Sequence, residues 1–276
     1  MVNSFNLGQL LIGLVSAAGI GAFAYWRGAL TRSGVVGAIL TGTLILGLGG
    51  WQWGLLLIAF FASSSLLSFY REREKLSTAE KFAKGHRRDL AQTLANGGLA
   101  ALLAALSRVY PSPLWFFACA GAMAAVNADT WATEIGVLST RAPRLITTGA
   151  SVEPGTSGGV TALGALASFT GALVIAALGS ASILLSHENG TVATALLYAS
   201  TLGGIAGSLI DSLLGASIQA IYWCDYCNKE TESAIHRCGN PTRRLRGLSV
   251  VNNDMVNFIT SAAGAAVASI IGSALL

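Results

Sequence analysis

The stretch of sequence that decides the fold runs from residue 113 to 138 and reads PLWFFACAGAMAAVNADTWATEIGVL. A helix rises about 1.5 Å per residue, so a run of this length can cross the hydrocarbon layer of a membrane, which is about 30 Å thick. Two acids, Asp129 and Glu134, nevertheless lie within this apolar run. An ionisable side chain at the centre of a membrane helix costs about 2.5–3.5 kcal/mol, so each acid requires a partner or a function.

The composition of the whole chain is that of a membrane protein. Of the 276 residues, 11% are charged and 53% are hydrophobic, whereas soluble domains carry about 25% charged residues. This excludes a soluble globular protein, a disordered chain and a disulfide-rich secreted module. Apolar runs bounded by charged residues predict eight spans, at about 7–26, 34–50, 51–70, 90–107, 113–138, 160–182, 191–222 and 251–274. The predicted fold class is therefore all-α, with residues 1–276 forming a single integral membrane domain, a polytopic bundle of about eight transmembrane helices.

Two of these spans are harder to delimit than the others. Only Gly49, Gly50 and Trp51 separate the second run from the third. The seventh run, 191–222, exceeds one crossing, so it must tilt, project into the cytosol, or break at its glycines. The glycines at which a break is expected are Gly203, Gly204 and Gly207.

Basic residues predict the orientation, because Lys and Arg in short loops are retained on the cytoplasmic side. Sixteen of the 17 Lys and Arg residues fall in alternate loops, and Arg108 is the exception. Both termini are therefore expected outside, with cytoplasmic loops at about 71–89, 139–159 and 223–250. The net charge of +4 fits this bias and attraction to anionic membrane lipid. The basic loops lack interleaved aromatic residues, so we expect no nucleic-acid partner.

Four intramembrane acids converge on the cytoplasmic ends of their spans: Asp129, Glu134, Asp211 and Asp254. Carboxylates accompanied by amide and hydroxyl oxygens form the hard ligand set that suits magnesium. The nearby amides are Asn127 and Asn253. The alternative, in which these groups only hydrogen-bond helices together, explains one or two acids better than four at one depth.

A glycine-rich segment, SVEPGTSGGV at residues 151–160, leads directly into the sixth span. Its glycines allow backbone N–H groups to point at one anion, and the following helix presents its positive end there. The residues expected to bind the anion are Gly155, Thr156, Ser157, Gly158 and Gly159. The segment is not a P-loop, because the lysine is missing and no strand precedes it. An ordinary turn at the start of a helix is the alternative.

A basic segment precedes the fourth span and reads KGHRRDLAQTLANGG at residues 84–98. Its guanidinium groups could bind a phosphate in a bidentate manner at the membrane surface. The residues expected to do so are Lys84, Arg87 and Arg88, with Asn96 further along the helix. Anchoring by the positive-inside rule is the alternative for this cluster.

Three cysteines and a histidine cluster in the 223–250 loop. Cys224 and Cys227 form a C-x-x-C motif, and His236 and Cys238 follow as H-x-C. Three thiolates and one imidazole are typical of a structural zinc site. Free cytosolic thiols and a redox disulfide are the alternatives. Cys119 lies alone in an apolar span and is expected to be inert.

Five blocks of the sequence resemble a known membrane family. They are KGHRRDLAQTLANGG at 84–98, NADTWATEIGVLS at 127–139, PGTSGGVTALG at 154–164, GSLIDSLLGASIQ at 207–219 and NNDMVN at 252–257. Together they are similar to the family that contains the plant and cyanobacterial phytyl-phosphate kinases of tocopherol synthesis. The resemblance implies a nucleotide-dependent kinase, with CTP or another nucleoside triphosphate as donor. It implies a prenyl monophosphate as acceptor, such as phytyl or geranylgeranyl phosphate, and a diphosphate as product.

This chemistry fits the groups found in the sequence. Magnesium held by Asp129, Asp211 and Asp254 would bridge the donor phosphates, and Glu134 is a further ligand or a supporting group. The glycine-rich segment would bind the donor phosphates, and Arg87 or Arg88 the acceptor phosphate. An ion-coupled transporter and a lipid cytidylyl- or phosphotransferase remain alternatives, and the oligomeric state stays open.

Overall fold

Eight α-helices form the body of the part of the chain that the structure describes. The computed structural model describes residues 6–71, 87–187 and 189–276. The helices are α1 (Leu7–Trp26), α2 (Arg32–Leu44), α3 (Trp51–Phe69), α4 (Leu90–Val109), α5 (Leu114–Gly136), α6 (Ala162–Leu185), α7 (Gly190–Ser217) and α8 (Asn253–Leu275). Among the described residues, seven of these helices are long and apolar enough to cross a membrane when α2 is counted together with the turn that continues it to Gly49. The predicted polytopic helix bundle is confirmed.

Helix α5 is not one of those seven apolar spans. Its buried position explains how it can carry more acidic residues than they do. Every residue from Phe116 to Ala128 is buried. Helices α6, α7 and α8 contact α5 most extensively, and α3 and α4 also pack against it. Because protein surrounds α5, its polar residues meet other side chains instead of hydrocarbon.

Small residues let the helices approach α5 closely. A Cβ added at Gly207 of α7 would lie only 2.4 Å from the Cβ of Ala125 in α5. A Cβ added at Gly121 of α5 would lie 2.4 Å from the Cβ of Ala268 in α8. Membrane helices use such residues because close backbone packing, more than the hydrophobic effect, holds them together.

Helix α7 continues unbroken through its glycines. Its 28 residues run from Gly190 to Ser217, so the break considered near Gly203, Gly204 and Gly207 does not occur. These glycines lie against neighbouring helices, where side chains would prevent contact. The predicted span was too long at its end, because residues 221–224 form a strand.

The second and third spans are separate helices, as predicted. Helix α2 passes into a π-helical turn at Ile45–Gly49 before the chain reverses. Gly50 has a φ of 94°, which an L side chain rarely adopts, and α3 begins at Trp51.

The long interhelical segments gather at one end of the bundle. The N–H of Thr31, between α1 and α2, donates to the carbonyl of Arg88, which precedes α4. A Cβ at Gly158, between α5 and α6, would meet the backbone of Ala216 at the end of α7. At the opposite end, Gln52 donates to Ser186 at 3.1 Å. The spans therefore alternate in direction as predicted, and the cytoplasmic assignment of this end stays a prediction.

Two small sheets occupy the longer segments, where the sequence analysis predicted only loops. Strands β1 (Arg144–Leu145) and β2 (Gly159–Val160) pair antiparallel. Strands β3 (Ile221–Cys224), β4 (Lys229–Thr231) and β5 (Arg243–Arg246) form an antiparallel sheet in the order β4-β3-β5. We call residues 221–246 the ribbon. Strands of two to four residues are too short for an alternating pattern to be read from the sequence.

We predict that Gly207→Ala lowers the free energy of unfolding by about 1–3 kcal/mol, because α5 and α7 must separate to admit the new methyl group. Thermal unfolding in detergent measures the effect. Gly19→Ala is the matched control, because nothing lies within 4 Å of the added Cβ and alanine has the higher helix propensity. Equal melting temperatures for the two variants would contradict the close packing of α5 and α7.

Candidate functional site

Two carboxyl groups meet at the end of the bundle where the longer segments gather. Asp129 of α5 and Asp211 of α7 lie close enough for their carboxyl groups to interact directly, and we call them the acid pair. The Thr260 hydroxyl of α8 donates to Asp211 Oδ2 at 3.0 Å. Adjacent carboxylates repel, so such a pair favours a shared proton or a bound cation. The structure thus brings together two of the four predicted metal ligands.

A third acid, Glu232 of the ribbon, lies beside the acid pair. Its charge acts on both Asp129 and Asp211. Its Oε1 accepts a hydrogen bond from the Ser157 hydroxyl and another from the Gln219 side-chain amide, both at 3.0 Å. Sequence reasoning missed Glu232, because an acid in a polar loop carries no signal of its own.

The predicted anion-binding residues 155–159 form a turn, which we call the glycine turn. Gly155 and Gly158 have φ angles of 80° and 81°, which favour glycine. The turn lies against the end of α7, where a Cβ on Gly158 would lie 2.4 Å from the Ala216 nitrogen. The N–H groups of Thr156 and Gly159 donate to carbonyls of the same segment. Those two donors are therefore occupied, and anion binding by the turn stays a prediction.

Arg246 holds the glycine turn against α7. Its Nη1 donates to the carbonyl of Gly215 at 2.7 Å and its Nη2 to the carbonyl of Ser157 at 3.1 Å. In the sequence, Arg246 is recognisable only as one of the basic residues of the predicted cytoplasmic segments. Its partners are 31 and 89 residues away, a separation that no local motif reveals.

Arg88 and Glu134 form a second polar group, on the side of α5 that faces α3. Arg88 Nη1 donates to the Ser65 hydroxyl at 3.1 Å, and the Ser68 hydroxyl donates to Glu134 Oε1 at 2.7 Å. The Glu134 charge acts on Arg88. The guanidinium also lies 5.6 Å from the ring centre of Phe61. Glu134 is thus partnered with Arg88 on a different side of α5 from the acid pair.

Arg88 also lies at the polar side of an apolar groove between α1, α2, α3 and α4. Residues of all four helices line the groove. Its polar lining includes Gln92 and Asn96 beside Arg88, and the rest is mostly aliphatic and aromatic. Arg87 lies nearby, where its Nη2 donates to the carbonyl of Leu30 at 3.2 Å. The predicted phosphate-binding residues Arg88 and Asn96 therefore line one groove.

The remaining predicted residues have different surroundings. Asn127 is fully buried; its Oδ1 accepts from Ser63 at 3.0 Å and its Nδ2 donates to the carbonyl of Gly171 at 2.7 Å. Asn253 and Asp254 lie in the first turn of α8, with Asp254 about 9 Å along the helix before Thr260. Lys84 lies outside the described residues.

The four predicted zinc ligands come together in the ribbon. The ligand atoms of Cys224, Cys227, His236 and Cys238 all lie within 4.8 Å of one another. No other group of three or more potential metal ligands is as compact among residues 6–71, 87–187 and 189–276.

A family profile described as integral membrane protein DUF92 matches residues 15–265. The chain belongs to this family. The match runs from α1 into α8, so it includes the acid pair, the glycine turn, the groove and the ribbon. It confirms the membership that the five sequence blocks indicated. No solved structure matches the chain.

Three curated relatives of this DUF92 protein come from distant organisms. Protein PGR of Arabidopsis thaliana is 31% identical over 272 residues, which cover 91% of this chain and 92% of the relative. An uncharacterized membrane protein of Methanocaldococcus jannaschii is 35% identical over 188 residues, 68% of this chain and 74% of the relative. One of Synechocystis is 30% identical over 196 residues, 69% and 72% of the two chains.

We predict that Asn127→Ala destabilises the DUF92 protein by about 1–3 kcal/mol, because the Gly171 carbonyl and the Ser63 hydroxyl lose a buried partner. Thermal unfolding measures this, and Asn96→Ala in the groove is the control expected to change less. An unchanged melting temperature together with weaker nucleotide binding would instead assign Asn127 to the cofactor site.

Proposed function

We propose that this protein is an integral membrane kinase. It transfers a phosphoryl group from a nucleoside triphosphate, with CTP the expected donor, to a prenyl monophosphate such as phytyl or geranylgeranyl phosphate. The product is the prenyl diphosphate. The observation that carries the proposal is the arrangement around α5, where an arginine at an apolar groove and a pair of acids lie on different sides of one helix end.

The groove suits the prenyl chain. Its lining is mostly apolar with a few polar groups near one side, which is the composition typical of small-molecule sites. Its walls are formed by residues such as Ala17, Leu57 and Phe60, which offer an isoprenoid no hydrogen bonds and need none from it. A chain in this groove directs its phosphate toward Arg88, the basic residue of the lining.

Arg88 suits the acceptor phosphate. A guanidinium offers five N–H donors in a planar fork. In the hydrogen bond described above, Arg88 uses Nη1 to donate to Ser65. The Ser65 hydroxyl and the Phe61 ring contact the guanidinium, and the charge of Glu134 acts on it. Bidentate binding through the remaining donors would place the phosphate at the border between the groove and the polar end of the bundle.

The acid pair suits magnesium. Asp129 and Asp211 present hard oxygen ligands side by side, and their mutual repulsion favours a divalent cation between them. When bound, the ion neutralises charge on the donor phosphates. The glycine turn is connected to the pair through Glu232, which accepts the Ser157 hydroxyl and whose charge acts on both acids, and the donor phosphates would bind there.

The proposed reaction requires the protein mainly to position the two substrates and to neutralise charge. An oxygen of the prenyl phosphate forms a bond to the γ-phosphorus of the donor, and the bond from that phosphorus to the β-γ bridging oxygen breaks, releasing the nucleoside diphosphate. A phosphate oxygen is already a nucleophile, so no strong general base is needed. Orientation and charge neutralisation supply the catalysis.

The proposed active site faces the cytoplasm. Sixteen of the 17 Lys and Arg residues belong to segments on the side of this site in the predicted topology, and basic segments are retained inside. Nucleoside triphosphates are available on that side.

We expect the purified protein, given magnesium, geranylgeranyl or phytyl phosphate and each nucleoside triphosphate in turn, to form a prenyl diphosphate. Mass spectrometry of the lipids detects it and identifies the donor. Asp211→Asn and Asp129→Asn should each reduce turnover by at least about 100-fold, because an amide cannot replace the carboxylate charge. Asp225→Asn, the same change at an exposed site, should retain turnover.

Two results would overturn this assignment. A nucleotide-linked lipid as product would indicate a cytidylyltransferase, and no lipid product from folded protein with any donor would reject the kinase. Full turnover in Asp129→Asn would remove that residue from the metal site.

The groove generates a separate prediction about chain length. A Cβ at Gly97 would be in ordinary contact with Thr41 across the groove, at 3.5 Å, so Gly97→Leu should fill the groove. We expect the KM for a C20 prenyl phosphate to rise by about 10-fold or more, with a smaller effect on a short prenyl phosphate. Gly98→Leu is the matched control, because a Cβ there meets only Leu94 of its own helix. Equal effects of both variants on both substrates would place the prenyl chain elsewhere.

A further inference from the structure

Two tight turns of the ribbon face each other, and each supplies two side chains that can bind a metal. The first turn connects β3 to β4 and carries Cys224 and Cys227. The second carries His236 and Cys238, and it is closed by the N–H of His236, which donates to the carbonyl of Asn240 at 3.0 Å. The strands of the ribbon thus bring together four residues that are spread over the sequence from 224 to 238.

Of the two short distances in this cluster, the sulfur–sulfur distance matches a tetrahedral zinc site and the sulfur–nitrogen distance is somewhat shorter than in such a site. The sulfurs of Cys224 and Cys238 are 3.7 Å apart, and Nδ1 of His236 is 3.2 Å from the Cys238 sulfur. Zinc binds thiolate at about 2.3 Å and imidazole at about 2.0–2.1 Å, so neighbouring ligands of a tetrahedral site lie about 3.5–3.8 Å apart. All four cysteines of the chain are free, so the structure contains none of the disulfides that the sequence left open.

The contacts of His236 place its Nδ1 in the thiol cluster. The side chain is buried, and its Nε2 has no hydrogen-bond partner among the described residues. Its Nδ1 contacts the sulfur and the backbone nitrogen of Cys238. A buried imidazole ordinarily has a carboxylate, carbonyl or water partner, and here the polar neighbours belong to the thiol cluster.

The group around Cys238 favours a thiolate. The Cys238 sulfur lies 3.2 Å from Nδ1 of the His236 ring. The Asn240 side chain donates to the same sulfur at 3.4 Å. Metal ligands require the deprotonated thiol, and hydrogen bonds to the sulfur support it.

We propose that Cys224, Cys227, His236 and Cys238 bind one zinc ion, and that this ion holds the ribbon in the conformation that brings Glu232 and Arg246 to the glycine turn. Three sulfurs and one nitrogen form a ligand set typical of closed structural zinc sites. Hard cations such as magnesium and calcium prefer oxygen ligands.

The coupling to the glycine turn follows from the contacts. Glu232 lies between the two ligand-bearing turns in sequence, and its Oε1 accepts the Ser157 hydroxyl. Arg246 ends β5 and binds the carbonyl oxygens of Ser157 and Gly215. Strands of three or four residues cannot bury enough apolar surface to order such a segment alone, so zinc would fix both side chains. The inference concerns metal content and local order, so it does not rest on the proposed kinase activity.

The test uses the full-length protein, purified in detergent through a tag that binds no metal. Elemental analysis by mass spectrometry should find one zinc per chain. Cys227→Ser should lose it, whereas Cys119→Ser, at a buried thiol outside the cluster, should keep it. His236→Cys, which converts the site to four thiolates, should also retain zinc. Protein without zinc, or Cys227→Ser with a full complement, would overturn the proposal.

A measurement on the unaltered chain guards against a variant that fails to fold. Treatment with a mercurial thiol reagent should release the zinc to a chromophoric indicator. Cobalt substituted at the site should give the absorption of a tetrahedral thiolate complex. Absence of both signals from folded protein would overturn zinc binding.

Hydrogen–deuterium exchange tests the second half of the proposal. Zinc removal by a chelator should speed exchange in residues 221–246 and in the glycine turn, and leave α5 unchanged. Faster exchange confined to the ribbon would separate the zinc site from the glycine turn and overturn the coupling.

Discussion

Asp129 can lie within the membrane-spanning part of the chain because α5 is enclosed by other helices. That enclosure depends on backbones that almost touch: Gly207 against Ala125, and Gly121 against Ala268. Larger side chains at these positions would separate the helices and expose the polar end of α5 to hydrocarbon, where a carboxylate is costly. Close packing of small residues is thus the condition under which the acid pair can exist at this depth.

The enclosed helix divides the polar end of the bundle into two halves. Asp129 meets Asp211 on one side, and Glu134 faces Arg88 and Ser68 on the other. Asp129 and Glu134 belong to the same rigid helix and lie about one and a half turns apart. The distance between the two halves is therefore fixed by helix geometry and not by loops. For a reaction between two phosphate compounds, such an arrangement keeps two groups of like charge in separate sites until they meet at the end of α5.

Much of this organisation could be predicted from the sequence, and the exceptions share a cause. Apolar runs predicted the helices, Gly49 and Gly50 predicted the division between α2 and α3, and the C-x-x-C and H-x-C motifs predicted a cluster that the structure brings together. Glu232 and Arg246 escaped prediction because their partners lie across the ribbon and the glycine turn, not one helical turn away. The end of α7 was placed too late because Ile221 and Tyr222 are as apolar in a strand as in a helix.

The groove beside Arg88 has a rim formed in part by Ile20 of α1 and Ile58 of α3, and both side chains are exposed on the outer surface of the bundle. A ligand can therefore arrive sideways, by lateral diffusion within a leaflet, without crossing water. For a ligand that arrives in this way, the fraction of occupied grooves depends on the mole fraction of the ligand in the membrane and not on its concentration in the whole sample. Diluting the bilayer with inert lipid at a constant total amount of ligand would then empty the groove.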